Sequence, residues 1–158
     1  MASSVVPRIV PCASVDQPGW LALRAALWPD CTGPEHREDA AGYLAVPDRY
    51  AQFVAYGPDG EAVGFVEASV RSDYVNGTET SPVAFLEGIY VVQAARRHGV
   101  ARALCDTVIA WARARGLREL ASDALLDNTV SHAMHAALGF EETERVVCFR
   151  RPIDAEPA

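Results

Sequence analysis

The stretch from Val83 to Leu104, Val-Ala-Phe-Leu-Glu-Gly-Ile-Tyr-Val-Val-Gln-Ala-Ala-Arg-Arg-His-Gly-Val-Ala-Arg-Ala-Leu, constrains the fold more than any other. A β-rich apolar run from Phe85 to Val92 ends in a short polar turn, and a helix-forming segment opens at about Arg97. A strand that feeds a small-residue turn and then a helix aims several backbone N–H groups at one point, where the helix dipole favours phosphate. Gly99 and Ala101 lack bulk where an anion would approach, and Arg96, Arg97 and Arg102 add positive charge. The pattern is Arg-x-x-Gly-x-Ala from Arg96 to Ala101. It is neither a P-loop nor a dinucleotide fingerprint. An ordinary strand-to-helix connection with a basic first turn has the same spacing, and spacing alone does not separate the two.

A length of 158 residues suits a single domain with one core, from about residue 8 to residue 151, followed by a polar tail from 152 to 158. No apolar run approaches the ~18 residues that span a bilayer. Met1 to Ser4 carries neither a basic nor an apolar leader region, so export is not signalled and the cytoplasm is the expected compartment. The net charge of −7, from 21 acids against 14 bases, argues against nucleic-acid and anionic-membrane partners and suits a cationic one. Cys12, Cys31, Cys105 and Cys148 show no Cys-x-x-Cys spacing, so free thiols are expected, with no disulfide frame and no metal site.

Taken in order, Arg8 to Cys12 reads as a first strand. Asp16 is the expected cap of a helix opened by Pro18, with Trp20, Leu23 and Leu27 on one side. Thr32-Gly33-Pro34-Glu35 reads as a capping box for a second helix that reaches about Val46. Ala51–Tyr56 and Ala62–Arg71 are expected to form a hairpin across Gly57-Pro58-Asp59-Gly60, Asp73 to Pro82 reads as a loop or an extended hairpin tip, and Val83–Val92 reads as the fourth strand. Val100, Leu104, Val108 and Ala112 make the apolar ladder of the next helix, closed by Gly116. Leu117–Ser122 is expected as a fifth strand parallel to the fourth, because a helix joins them. Asp127 or Asn128 opens a last helix that buries Val130, Met134 and Leu138, and Phe140–Glu144 and Arg145–Arg151 read as closing strands. The result is an α/β fold with a mixed sheet flanked by helices.

The segment after the "Tyr-Val" strand resembles the pyrophosphate motif of the GNAT superfamily of N-acetyltransferases, and Asn128 through Leu138-Gly139-Phe140 resembles that superfamily's second motif. Tyr74 to Pro82, Phe85 to Val91, Ala121-Ser122-Asp123 and Gly139 to Glu144 resemble the aminoglycoside 6′-N-acetyltransferases, over about Arg8 to Arg151. The resemblance implies a largely antiparallel sheet whose central parallel strands, the fourth and fifth, splay to admit acetyl-CoA. It implies that the backbone of Ile89, Tyr90 and Val91 pairs with the pantetheine and that an amide there polarises the thioester carbonyl. The pyrophosphate would rest on the amides of Arg97, His98, Gly99, Val100, Ala101 and Arg102. Asn128 matches a position that contacts CoA, and a helix N-cap explains it equally well. The family often dimerises, sometimes by exchange of C-terminal strands.

Acetylation also requires a neutral amine, yet an alkylammonium of pKa about 10.4 is neutral in fewer than ~1 in 1000 molecules at pH 7. Glu87 is the preferred base. It lies on the strand that holds the thioester, and alternation places it on the same face as Ile89, barring a bulge. Asp123, at the carboxyl edge of the fifth strand, is the second candidate. Where many superfamily members carry a tyrosine that protonates the departing thiolate, this chain has His135. An imidazole can donate, but a reference pKa of ~6.5 leaves it mostly neutral at pH 7, and packing on the helix is the alternative. Trp28, Tyr74 and Glu144, with Glu87 and Asp123, match substrate contacts of the aminoglycoside enzymes. Aromatics offer a wall for sugar rings and carboxylates pair with ammonium groups. The expected activity is acetylation of the aminoglycoside 6′-amine, hence antibiotic resistance. The alternatives are an acetyltransferase of another polyamine, amino sugar or peptide amine, and a non-catalytic acyl-CoA sensor.

Overall fold

The computed structural model describes residues 6–154. Residues 1–5, and residues 155–158 of the expected tail, lie outside that range. Strand β1 is Arg8–Pro11, followed by helices α1, Trp20–Leu27, and α2, Gly33–Leu44. Strands β2, Tyr50–Tyr56, and β3, Ala62–Arg71, form the expected hairpin, and β4 is Val83–Val91. Helix α3 is Val100–Ala114, strand β5 is Leu120–Ala121 and helix α4 is Thr129–Ala137. The five strands form one sheet in chain order, antiparallel from β1 to β4 and parallel between β4 and β5.

Two apolar clusters sandwich the sheet. On one side α3 lays Val100, Leu104 and Val108 against Val66, Ala68, Leu86, Ile89 and Val91. This is the ladder the sequence spacing demands, since residues four apart stack on one helical face. On the other side α1 brings Trp20 and Leu23 against Val54, Tyr56 and Phe65. The capping box of α2 forms as its residue types require: the Glu35 amide donates to Thr32 Oγ1 and the Thr32 amide to the Glu35 carboxylate.

Strand β5 meets β4 only at Ala84↔Leu120 and Phe85↔Ala121. Beyond Phe85 the β4 edge from Leu86 to Val91 has no strand beside it among the described residues, so the two parallel strands part there. The register across β3 and β4 pairs Glu67 with Gly88 and Ala68 with Leu86, which leaves Glu87 as the extra residue of a β-bulge. The bulge breaks the alternation. Leu86 and Ile89, an odd number of positions apart, both join the α3 cluster, and Gly88 backs onto Leu27 and Trp28 on the other side. The expectation that Glu87 shares a face with Ile89 is therefore overturned, because the side chain turns to the α1 side.

Several other expectations change. Asp16 does not cap α1. The helix opens at Gly19, φ 81°, with no side-chain cap, and Asp16 instead pairs with Arg37 at 2.9 Å. The helix expected from about Arg97 starts at Val100, because Arg97 and Gly99 sit at φ 65° and 83°, left-handed values that a helix excludes. The fifth strand is two residues long rather than six, since β4 and β5 diverge at once. Val130 is 80% exposed and leaves Met134 and Leu138 to carry the packing of α4. The closing strands expected over 140–151 do not form, and Val147 and Phe149 stand in solvent at 77% and 92% exposure.

Candidate active site

Where β4 bulges, the Glu87 carboxylate enters a cleft of about 350 Å³ lined by Arg49, Tyr50, Ser69, Arg71, Tyr74 and Glu87. Strand alternation puts Glu67, Ser69 and Arg71 of β3 on the same side. The Ser69 hydroxyl donates to Glu87 Oε1 at 2.5 Å. Arg71 Nε and Nη2 donate to the same oxygen at 3.2 and 3.0 Å, and Nη2 also reaches Oε2 at 3.0 Å. Oε1 is thus saturated, while Oε2 takes one donor and keeps accepting capacity toward the cleft. The Arg71 guanidinium lies 3.4 Å over the Phe85 ring, which fixes it from behind.

The other expected substrate contacts sit around this carboxylate to different degrees. Tyr74 lines the same cleft and is 74% exposed. Trp28 packs its ring against Gly88, the neighbour of Glu87: a Cβ there would meet Trp28 Cζ2 at 2.5 Å. Glu144 lies along the loop that carries Tyr74, since a Cβ on Gly77 would stand 3.6 Å from Glu144 Cβ. Asp123 lies apart from the cleft, exposed just past β5, with no hydrogen-bond partner among the described residues.

Two features that sequence reasoning missed hold this arrangement. The Glu119 carboxylate, just before β5, accepts the amides of Glu79 and Thr80, at 3.0 and 2.6 Å to Oε1, together with the Thr80 hydroxyl. It staples the Tyr74 loop to the sheet, and the Thr80 hydroxyl followed by the two amides holds its pKa below the ordinary value. Deeper under the cleft, Glu67 on β3 pairs with Arg24 of α1 and accepts from Trp20 Nε1 at 2.9 Å. Burial pushes the Glu67 carboxyl up, against the pull of Arg24. An acid inside the apolar run from Val63 to Val70 was the available signal for this pair, and three polar residues at alternate positions of β3 were the signal for Ser69 and Arg71.

The turn between β4 and α3 has the form of an anion cradle. Arg97 and Gly99 are left-handed, α3 begins without a side-chain cap, and its first amides are left for another acceptor. Two of the arginines expected to serve it are engaged elsewhere. Arg96 Nε donates to the Val91 carbonyl at 2.9 Å, and Arg102 Nη2 donates to the Ala137 carbonyl at 2.6 Å, closing the end of α4. Asn128 is the N-cap of α4 and accepts the Ser131 amide at 3.1 Å.

His135, in the last turn of α4, faces Ser122 just past β5. Its Nδ1 lies 2.7 Å from the Ser131 carbonyl, which only accepts, so Nδ1 carries a hydrogen. In the neutral ring Nε2 is then the acceptor for the Ser122 hydroxyl, at 2.7 Å. The Phe140 ring packs edge-on at 5.2 Å. His132 donates from Nε2 to the Leu125 carbonyl at 2.9 Å, and among the described residues no cluster of His, Cys, Asp and Glu could hold a metal ion.

Comparison with known proteins fits this geometry. The acetyltransferase (GNAT) family profile matches residues 20–140. An aminoglycoside N(6′)-acetyltransferase type 1 of Serratia marcescens is 50% identical over 145 residues, 92% of this chain and 99% of the relative. The crystal structure of the aminoglycoside antibiotic 6′-N-acetyltransferase AAC(6′)-Ih from Acinetobacter baumannii superposes with a TM-score of 0.88 at 47% identity, covering 94% of this chain and 99% of that one. That of AAC(6′)-Iy in complex with the bisubstrate analogue CoA-S-monomethyl-acetylneamine gives 0.87 at 43% identity, covering 94% and 99%. Likeness of this extent and depth assigns the chain to the GNAT acetyltransferases, in the family of the aminoglycoside 6′-N-acetyltransferases.

Proposed function

We propose that this enzyme transfers the acetyl group of acetyl-CoA to the 6′-amino group of aminoglycoside antibiotics and so confers resistance. The observation that carries the reading is the near end-to-end similarity, at 47–50% identity, to enzymes named for that reaction. The bulged carboxylate at the head of the β4 edge supplies its chemistry.

In this reading the pyrophosphate of acetyl-CoA rests on the amides from Arg97 to Arg102, and its pantetheine lies along the unpaired β4 edge at Ile89, Tyr90 and Val91. A β4 amide polarises the thioester carbonyl. Glu87 accepts the ammonium proton through Oε2, by way of one water, while Ser69 and Arg71 hold Oε1 in place. The amine nitrogen then bonds to the carbonyl carbon and sheds its second proton to solvent as the C–S bond breaks, and the thiolate takes a proton from solvent. His135 has both ring nitrogens engaged and serves to hold Ser122 and α4 rather than to protonate sulfur. Trp28 and Tyr74 form the wall for the sugar rings. Asp123 and Glu144, both exposed, pair with further ammonium groups, whose contribution weakens with salt. A role for Asn128 beside CoA is added to its capping bond.

The working form in this reading is a cytoplasmic homodimer. Val147, Phe149 and Ile153 are 77, 92 and 97% exposed in a segment without secondary structure, and a second copy would cover them. No helix among the described residues is long and apolar enough to cross a membrane, and none of the four cysteines is paired in a disulfide.

Neomycin carries an amine at the 6′ position and paromomycin a hydroxyl there. Incubated with acetyl-CoA, neomycin should gain one acetyl group by mass spectrometry and paromomycin should react poorly, because a hydroxyl is a weak nucleophile. Equal acetylation of both would remove the 6′ assignment. Reaction with neither, beside brisk acetylation of a simple polyamine, would favour another amine substrate.

A further inference from the structure

The buried charges beneath the cleft do something that stability does not require. Arg24 and Glu67 are each 2% exposed, and Arg24 Nε has no hydrogen-bond partner among the described residues. Ion pairs of this kind can commonly be replaced by apolar side chains of similar volume with no loss of stability. What an apolar replacement would not do is present a flat cation. The Arg24 guanidinium reaches Glu67 and, at 3.3 Å, Asp39, and it lies 4.8 Å from the ring centre of Trp28 and 5.6 Å from that of Tyr43.

Further contacts fix Trp28 as well. Its amide donates to the Arg24 carbonyl at 2.8 Å, and its carbonyl accepts from His36 Nε2 at 3.1 Å. Its ring meets Phe65 edge-on at 5.9 Å. The ring edge fills the space that Gly88 leaves empty, where a Cβ would stand 2.5 and 2.6 Å from Cζ2 and Cη2. Helix, sheet and buried cation therefore hold the indole in one orientation beside the residue that carries Glu87.

We propose that the Arg24–Glu67 pair is a positioning device for the Trp28 indole, so that two buried residues set aminoglycoside affinity without touching the drug. The inference rests on the reading of Trp28 as a wall of the substrate cleft. The planar guanidinium gives the indole a face to stack on, and Glu67, fixed in turn by Trp20 Nε1, prevents the guanidinium from rotating.

The test compares three variants of the full-length enzyme in steady-state assays with neomycin and acetyl-CoA. Arg24→Leu combined with Glu67→Met removes both charges at similar volume. Its melting temperature should fall only modestly, because Trp20 Nε1 loses its acceptor, and its KM for neomycin should increase about 30-fold, the scale of a desolvated cation–π contact. Its kcat and its KM for acetyl-CoA should hold. Gly88→Ala leaves the pair intact but drives the indole from its seat, and it should raise the same KM. This second variant decides the matter if the double variant does not fold. An unchanged neomycin KM in the folded double variant, or in Gly88→Ala, would overturn the proposal. Trp28→Ala separates the two levels. If it leaves the neomycin KM unchanged, the wall reading itself fails; if it alone raises KM, the wall stands and the positioning device falls.

Discussion

On the α3 side of the sheet, Val66, Ala68, Leu86, Ile89 and Val91 meet Val100, Leu104 and Val108 with no charge among them. On the α1 side, the same two strands present Glu67, Ser69, Arg71 and Glu87, and Arg24 enters from the helix to meet Glu67. The first face needs only apolar area at the right period, which is why one helix covers it with a four-residue ladder. The second carries polar groups that cost free energy unless each finds a partner, and they find them in two sets, Glu67 with Arg24 and Trp20, and Glu87 with Ser69 and Arg71. The difference separates labour within one sheet: the α3 face supplies cohesion, and the α1 face, with the bulge at Glu87, supplies the carboxylate proposed to act on substrate.

Substitutions on the apolar face should read out as stability alone. Leu104 is fully buried, so Leu104→Ala should cost about 2–5 kcal/mol in denaturant unfolding. The folded fraction should keep a wild-type KM for neomycin, and a large change in that KM would break the division of labour. At the turn between β4 and α3, Gly99→Val forces a branched side chain into φ 83° at a cost of about 1–2 kcal/mol, which the turn should avoid by reshaping its amides. Calorimetry should then show acetyl-CoA binding lost in a variant whose circular dichroism is native. Near-native affinity would count against the cradle.

The smallest effect concerns the Tyr74 loop. Glu119 has a folded pKa below its ordinary value of 4.5, so its contribution is present above that value and is lost as pH falls through the depressed one. As pH falls through that depressed value the amides of Glu79 and Thr80 should lose hydrogen-exchange protection, while amides of α3 keep theirs. Glu119→Gln should show weak protection of the two amides at every pH. Protection that survives acid in the wild type would show that the loop is held by other means.

What was legible in the sequence follows the same division. The ladder Val100, Leu104, Val108 and Ala112, the capping box at Thr32 and the turn before Gly60 are local signals, and each is found where its residues require it. The polar face is built across strands and depends on register. Nothing local pairs Glu87 with Arg71, sixteen positions away, or Glu119 with Thr80. Gly88 inside an apolar strand was the one hint of a bulge, and alternation taken without it aimed Glu87 at the wrong side. The C-terminal segment shows the complementary failure. Residues 140–151 carry strand-like apolar residues, but a strand exists only against a neighbour, and β5 is two residues long. Val130 failed for a like reason: its helical spacing was right, and among the described residues no element covers that side of α4.

The central claim is that the bulged Glu87 carboxylate takes the proton from the substrate amine, and Glu87→Gln tests it most directly because volume is conserved and only charge and basicity are lost. In single-turnover acetylation of neomycin at neutral pH the rate should fall by about 10²-fold or more, the usual contribution of a general base. The calorimetric affinity for acetyl-CoA should stay at the wild-type level. A Glu87→Gln enzyme that acetylates neomycin at the wild-type rate, above all if Asp123→Asn is the variant that fails, would contradict the account.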